Sequence, residues 1–246
     1  MLPVQNAVPS RYPPVATWGL IVANCVIFLI QLNLDPVELD WFLWRFALIP
    51  ARYLMPSPYG EPDLAPWDYL PFASNMFLHG GWLHLILNMW TLWLFGPAIE
   101  DRLGSGRYLL FYIGCGIVAS IAHAWVNPDS IVPALGASGA IAGVLGCYIR
   151  FFPLARLVVL VPILFIPLFF EVPAVIFAGL WFVLQILEGT ADLFMPSTGG
   201  GVAWWAHIGG FAIGIIIGPL LRKPTRRYRN YYGDEGIYGF DPRGQP

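Results

Sequence analysis

The sequence predicts an all-α polytopic membrane protein with six transmembrane helices and a large first loop on the outer side. Of its 246 residues, 57% are hydrophobic and only 11% are charged, and the mean hydropathy is +0.64. A soluble domain carries about 25% charged residues, so this composition excludes one. Apolar runs close to the ~20 residues that cross a bilayer recur along the chain. They give the predicted spans: 15–32, 82–99, 108–126, 131–149, one within 157–187, and 202–221.

The first span and the loop after it are predicted from their charged and aromatic residues. Acidic residues follow the run 15–32 at once, which is typical of a retained span rather than a cleaved signal. The loop 33–79 is rich in aromatic residues, and tryptophan and tyrosine favour the membrane interface. We therefore expect the loop to lie partly among the lipid headgroups. Its aromatic residues are Trp41, Phe42, Trp44, Phe46, Trp67 and Tyr69.

The run 157–187 allows either one span preceded by an interfacial segment, broken by Pro162 and Pro167, or a tight pair of spans. Basic residues favour the cytoplasmic side, and a basic cluster follows the last run: Arg222, Lys223, Arg226, Arg227 and Arg229. A single span in 157–187 also puts Arg11, Arg102, Arg107, Arg150 and Arg156 on that side. We therefore expect six spans in a membrane domain at 15–221. A cytoplasmic segment, 1–14, precedes it, and a flexible basic cytoplasmic tail, 222–246, follows it.

Small residues recur in the fourth and sixth predicted spans. Gly139 and Gly143 are four residues apart in the fourth span, and Gly210, Gly214 and Gly218 repeat at the same interval in the sixth. This spacing puts them on one helix face, where small residues let two backbones approach closely. Packing alone explains such glycines, but close approach would also bring Ser138 and His207 together.

Four polar side chains share one predicted layer of the membrane. Ser138 lies some seven residues into the fourth span and His207 about five into the sixth, which corresponds to similar depths of roughly 8–10 Å. His84 and Asn88 are four residues apart, on one face of the second span. An ionisable group inside a span is costly and is usually functional. The layer thus holds a hydroxyl nucleophile, a base and two candidate oxyanion donors.

Each of these residues also has a simpler explanation. A lone serine in a span usually bonds a carbonyl one turn back, and a His–Asn pair is often an interhelical contact. A metal site of His79, His84 and His207 would lack the i, i+4 His pair and the carboxylate typical of zinc sites. We therefore expect no metal, and we assign His79 to anchoring the loop. Only the coincidence of depth favours an enzyme.

The order and spacing of these residues resemble those of the rhomboid intramembrane serine proteases. The resemblance rests on an HxxxN pair in the second span, a GxSG element in the fourth and a histidine before two glycines in the sixth, in that order. The segment Glu-Asp-Arg-Leu-Gly after the second span also matches. Taken together, the resemblance covers nearly all of 15–221. The matching segments are 79–84 with Asn88, 100–104, 136–139, and 206–210 with Gly214.

The resemblance implies a Ser138–His207 catalytic dyad with no acidic third member. It also implies an oxyanion hole formed by the side chains of His84 and Asn88 and by the backbone N–H of Ser138. Structural support is expected from the remaining motif residues: Gly136, Gly139, Glu100, Arg102, Gly210, Gly214 and His79. Some members stack a tyrosine on the catalytic histidine, but the equivalent position here is Ala142. His207 must then be held in another way, for which Trp204 and Trp205 are candidates.

The expected function is hydrolysis of peptide bonds in or near the transmembrane segments of single-span or multi-span membrane proteins. The lipid bilayer is the other expected partner, and no cofactor and no nucleic acid are expected. Two alternatives stay open: a catalytically silent relative that binds transmembrane segments, and a small multi-span transporter. The presence of both Ser138 and His207 weighs against the first, and the pooling of polar residues in the outer half weighs against the second. We expect a prokaryotic plasma membrane, with both termini cytoplasmic.

Overall fold

A computed structural model describes residues 2–55, 64–163, 166–194 and 202–222 of the chain. Its helices are α1 (Val15–Asn33), α2 (Pro36–Phe46), α3 (Ala51–Leu54), α4 (Pro71–Ser74), α5 (Trp82–Leu103), α6 (Ser105–Val126), α7 (Ser138–Phe151), α8 (Ala174–Phe194) and α9 (Trp204–Ile217). Its strands are β1 (Leu2–Asn6), β2 (Arg156–Ile163) and β3 (Ile166–Pro173). Short 3₁₀ helices cover Pro66–Tyr69, Asn75–Phe77 and Gly218–Leu221. Apart from Arg222, the predicted tail lies outside the described residues.

The long helices agree with the predicted spans. Helices α1, α5, α6 and α8, and α9 together with the 3₁₀ turn after it, are long and apolar enough to cross a membrane. Helix α7 has only 14 residues, which corresponds to about 21 Å. All of its residues from Gly139 to Tyr148 are buried, as expected of a helix enclosed on every side by others. The predicted all-α polytopic membrane architecture is confirmed, with α7 at its centre.

The predicted fourth span, 131–149, is wrong at its start. The helix begins at Ser138 and runs to Phe151, so Ser138 is its first residue and not its seventh. Two residues account for the late start. Pro133 disfavours helical backbone in the residue before it, and Gly136 has a φ of 126°, a left-handed conformation that ends or precedes helices.

Helices α5, α7 and α9 run in one direction, and α1, α6 and α8 run in the other. We call the end at which α5, α7 and α9 begin the upper end. Glycines form the contact between α7 and α9: a methyl group on Gly210 would collide with the carbonyl of Gly139, and one on Gly214 with that of Gly143. On its other side, Gly139 lies against α6, where an added Cβ would be 2.6 Å from that of Ala119. Only glycine permits this spacing of the backbones.

The N-terminal residues form a strand that is fixed to two helices. Strand β1 pairs antiparallel with β2, in a sheet of order β1-β2-β3. The indole N–H of Trp90 donates to the Pro3 carbonyl at 2.8 Å, and the Asn6 amide donates to the Leu94 carbonyl at 2.9 Å. The Tyr148 hydroxyl donates to Asn6 Oδ1 at 2.7 Å. Residues 2–6, predicted only as a segment before the first span, are therefore fastened to α5 and α7.

The segment before α8 is a β-hairpin and not merely an interfacial segment. Strands β2 and β3 pair antiparallel, and Pro162 pairs with Pro167 next to the last pair of the ladder, Ile163 with Ile166. Leu157 and Val159 are fully buried. Alternate residues of a strand point to the same face, so this face of β2 packs against the helices. The helix α8 that follows provides one span, in agreement with the first of the two predicted alternatives.

Glu100 joins the end of α5 to the beginning of α1. Its carboxylate accepts the backbone N–H groups of Ala16 at 2.9 Å and Thr17 at 2.8 Å. The hydroxyl of Ser105 also donates to it, at 2.6 Å. Arg102 is buried two residues later, with its guanidinium 5.3 Å from the ring centre of Phe152. Both charged residues lie at the lower end of the bundle.

The predicted loop 33–79 is largely folded in its described part. Asp35 caps α2 by accepting the N–H groups of Val37 and Glu38, each at 2.9 Å. Arg45 forms an ion pair with Asp68 at 3.2 Å. Leu48 and Ala134 exchange backbone hydrogen bonds of 3.1 and 2.8 Å, which join the loop to the segment before α7 at the upper end.

Candidate active site

Ser138 and His207 are brought into direct contact. The Nε2 atom of His207 lies 2.8 Å from Ser138 Oγ. Ser138 is the first residue of α7 and His207 lies in the first turn of α9. The two helices are therefore aligned at their upper ends, and the glycine contact below holds them close. His207 is only 7% exposed, so its imidazole is shielded from solvent.

The geometry around Ser138 follows from its place in the sequence. The first N–H groups of a helix have no intrahelical acceptor, so the backbone N–H of Ser138 is free of the α7 ladder. Before it, Gly136 lets the chain pass close to α5: an added Cβ at this position would lie 2.7 Å from His84 Nε2. Gly136 thus allows the His84 ring to lie close to the segment that precedes Ser138.

His84 and Asn88 face the same cavity as Ser138 and His207. The Asn88 amide donates to the His84 carbonyl one turn back at 3.0 Å. Since a side-chain amide has two N–H donors, one remains for another acceptor. Asn88 is 6% exposed. The two side chains from α5 therefore line the same cavity as Ser138, at the beginning of α7.

His79 lies in the segment before α5 and is tied to α1. The backbone of His79 and the side chain of Gln31 exchange two hydrogen bonds, of 3.1 and 3.2 Å. Its ring makes an edge contact with His84, at 5.1 Å between centroids. Burial, and to a lesser extent the nearby His84, lower the pKa of His79 to about 4. The ring is thus neutral at pH 7, and His79 bridges α1 and the site.

Three side chains surround His207, and two of them, Gln185 and Trp181, were not predicted from the sequence. Gln185 of α8 places its Oε1 atom 2.6 Å from His207 Nδ1. The ring of Trp181 lies 5.7 Å from that of His207. Trp204, one of the two expected aromatic neighbours, is 6.3 Å away in an edge-on arrangement. An amide within the apolar run 157–187 could have marked Gln185 as a candidate site residue. Its partner could not be predicted, because it depends on how α8 and α9 are aligned along their lengths.

The cavity that contains the four polar residues has a volume of about 1140 Å³. Helices α5, α6, α7, α8 and α9 all contribute to its walls, and so do Asp129 and Ser130 of the segment between α6 and α7. Leu2 and Pro3 of β1 also line it. Much of the wall is apolar, with Leu87, Ile141 and Leu145 among its residues. The cavity can therefore receive an apolar chain segment beside Ser138.

Metal ligands do not cluster in the described part of the chain. No group of three or more histidine, cysteine, aspartate or glutamate side chains there could hold a metal ion. The cysteines Cys25, Cys115 and Cys147 are free. The chemistry available in the site is that of a hydroxyl, two imidazoles and two side-chain amides.

Comparison with known proteins shows the family of the chain. A family model described as the Rhomboid domain matches residues 66–224. Mitochondrial rhomboid protein 1 of Saccharomyces cerevisiae is 27% identical over 229 residues, which is 89% of this chain and 60% of that protein. The putative rhomboid protease YdcA of Bacillus subtilis is 43% identical over 118 residues, covering 46% of this chain and 58% of that protein.

A third relative, the rhomboid protease GluP of Bacillus subtilis, is 42% identical over 83 residues, which is 34% of this chain and 16% of that protein. The chain therefore spans no more than about three fifths of the length of these relatives. The family model, by contrast, covers more than half of the chain and includes every residue of the site. The chain belongs to the rhomboid family.

Proposed function

We propose that this protein is an intramembrane serine protease that cuts peptide bonds in or near the transmembrane segments of other membrane proteins. The observation that carries the proposal is the 2.8 Å contact between Ser138 Oγ and His207 Nε2. A serine that only bonded a backbone carbonyl would have no such base. A buried imidazole in contact with a hydroxyl supports nucleophilic catalysis.

The reaction begins with transfer of the Ser138 proton to His207. As Nε2 takes the proton, Oγ forms a bond to the carbonyl carbon of the substrate, and the carbonyl oxygen becomes an oxyanion. When the intermediate collapses, the C–N bond breaks and the leaving amine takes the proton from His207. Water then repeats the sequence on the acyl-enzyme, with His207 as base, and releases the acid.

The oxyanion is stabilised by donors that are in place before the reaction. We assign this role to the side chains of His84 and Asn88 and to the backbone N–H of Ser138. Fixed donors in a water-poor site are worth more than in water and need no reorganisation. The location of His84 Nε2 next to Gly136 supports the assignment.

The substrate that fits this cavity is an apolar segment with one locally unwound stretch. A helical peptide bond is engaged in its own hydrogen bonds, so the segment must unwind before Ser138 can reach a carbonyl. The apolar wall with Leu87, Ile141 and Leu145 favours side chains that come from a bilayer. By the distribution of basic residues, we place the upper end on the outer side of the membrane and both termini in the cytoplasm. For the host membrane we propose a prokaryotic plasma membrane.

Cleavage of a single-span model protein in proteoliposomes tests the proposal. We expect the wild type to cut in or near the span and Ser138→Ala and His207→Ala to lose cutting while remaining folded. Ser130→Ala is the matched control, because Ser130 lines the same cavity and its hydroxyl accepts only the Val132 N–H, at 3.3 Å, among the described contacts. Mass spectrometry of the products locates the cut.

Labelling with a fluorophosphonate probe separates an inactive enzyme from an unsuitable substrate. The probe should modify Ser138 in the wild type and leave His207→Ala unlabelled, since the hydroxyl then lacks its base. If Ser138 is neither labelled nor needed for cutting, the proposal is wrong. Tight binding of the model protein without labelling would favour the silent, segment-binding relative instead.

A further inference from the structure

Gln185 is buried at the far side of the His207 ring from Ser138. Gln185 is 5% exposed, and its Oε1 atom lies 2.6 Å from His207 Nδ1. Its Nε2 atom donates to the Trp181 carbonyl one turn back, at 3.3 Å. Since only the NH₂ group can donate to a carbonyl, this second contact fixes which end of the amide faces His207. That end is the oxygen.

The amide oxygen in turn determines where the imidazole carries its proton. An amide oxygen only accepts hydrogen bonds, so the Nδ1 atom of His207 must donate, as an N–H group. In a neutral imidazole the other nitrogen is then unprotonated. That nitrogen, Nε2, is the one in contact with Ser138 Oγ. Gln185 thus leaves the lone pair of His207 facing the hydroxyl.

We propose that Gln185 is a positioning residue that holds His207 in its reactive tautomer and orientation, a role that rests on the proposed protease function. It does this as a neutral amide in the position that an aspartate takes in serine protease triads. An isolated carboxylate buried in an apolar bundle would be costly, whereas an amide with both ends bonded is not. The sequence implied a dyad, and the structure assigns a third member to it.

The face of α8 that carries Gln185 is built around His207. Trp181, Gln185 and Gly189 are four residues apart and share one helix face. The Trp181 ring packs beside the imidazole. Gly189 makes room for Trp204, whose Cβ would be 3.0 Å from an added methyl group. This face therefore both encloses the ring and supplies its hydrogen-bond acceptor.

Two substitutions separate the hydrogen bond from simple packing. Gln185→Met keeps a similar length and removes the acceptor, so kcat should fall by about 10²-fold with little change in KM. Gln185→Glu restores an acceptor of the same shape and should recover most of that loss at high pH. Because a carboxylate stabilises the imidazolium, which cannot act as a base, the acidic limb of its kcat–pH profile should move to higher pH. The other titratable groups that influence His207 are His84 and His123, and neither is altered in these variants.

Leu184→Met on the exposed side of α8 is the matched control. Leu184 is 44% exposed, and its replacement should leave kcat within about twofold of the wild type. Loss of activity in Gln185→Met together with an unshifted profile in Gln185→Glu would indicate a packing role and overturn the proposal. A kcat for Gln185→Met equal to that of the control would overturn it as well.

The tautomer itself can be read without any activity. In protein labelled with ¹⁵N-histidine, the ring nitrogens of His207, assigned by comparison with His207→Gln, should show the Nδ1–H form. Gln185→Met should shift the signals toward the Nε2–H form. If the wild type shows Nε2–H, the proposal on Gln185 fails even where cleavage is normal. If the wild type shows Nδ1–H but never cuts or reacts with the fluorophosphonate, only the proposed function fails.

Discussion

Replacement of Glu100 by alanine tests the joint between α1 and α5. The residue is 3% exposed and accepts the N–H groups of Ala16 and Thr17 at 2.9 and 2.8 Å. It also accepts the hydroxyls of Thr17 and Ser105, but a hydroxyl can rotate to another acceptor, so only the two amides are counted. Each buried donor left unsatisfied costs about 1–3 kcal/mol. Glu100→Ala should therefore lower the free energy of unfolding by about 2–6 kcal/mol.

Reversible unfolding in mixed micelles, followed by tryptophan fluorescence, measures this change. Asp101→Ala is the matched control: its carboxylate also accepts two N–H groups, of Arg11 at 3.2 Å and Tyr12 at 3.1 Å, but it is only half-buried. Water can replace it, so the loss should stay below about 1 kcal/mol. Glu100→Gln keeps one acceptor and should fall between the two. A loss in Glu100→Ala no greater than in Asp101→Ala would refute the reasoning.

Three further predictions concern the site and the segment before α5. Asn88→Ala should lower kcat by about 10²–10³-fold with little change in KM, as expected for one oxyanion donor; an unchanged kcat would remove Asn88 from that role. Gly136→Ala should lower kcat by at least about tenfold, because a φ of 126° strains alanine and its methyl group would lie 2.7 Å from the imidazole of α5; a fully active variant would show that this ring can move aside. Burial lowers the pKa of His79 from 6.5 to about 4. Between these two pH values the unfolded chain binds a proton at His79 and the folded chain does not. The free energy of unfolding should therefore fall by up to about 3 kcal/mol as the pH drops from 6.5 to 4. His79→Phe should remove this part of the pH dependence of unfolding, and a variant as sensitive to pH as the wild type would contradict the assignment.

The long helices could be predicted from the sequence because each is an apolar run of bilayer length. The short helix α7 could not be bounded in this way. Its apolar run begins at Ile131, but Pro133 and the left-handed Gly136 delay the helix to Ser138. Hydropathy averages over such a segment and does not register backbone conformation. Ser138, the proposed nucleophile, therefore lies at the first residue of a helix whose start the hydropathy pattern does not indicate.

The sheet was missed for a different reason. The run 157–170 is apolar throughout, and such a run is compatible with either a helix or a buried strand. Its first strand pairs with β1, which lies more than 150 residues earlier in the chain; Leu2, for example, pairs with Leu160. The sequence of residues 2–6 does not specify that partner. The contribution of Leu2 and Pro3 to the cavity wall therefore could not be predicted from the sequence.

Distance and tautomer are controlled by separate parts of the molecule. The separation of Ser138 and His207 is set by two helices whose glycines touch, and packed backbones of this kind have little freedom to adjust. The glycine contact does not dictate which ring nitrogen is protonated, since an imidazole rotated by half a turn would fill nearly the same space. That choice falls to Gln185, which approaches from α8 and contacts the opposite edge of the ring. Enlarging a glycine should therefore alter the Ser–His distance while Nδ1–H persists, and removing the Gln185 acceptor should do the reverse.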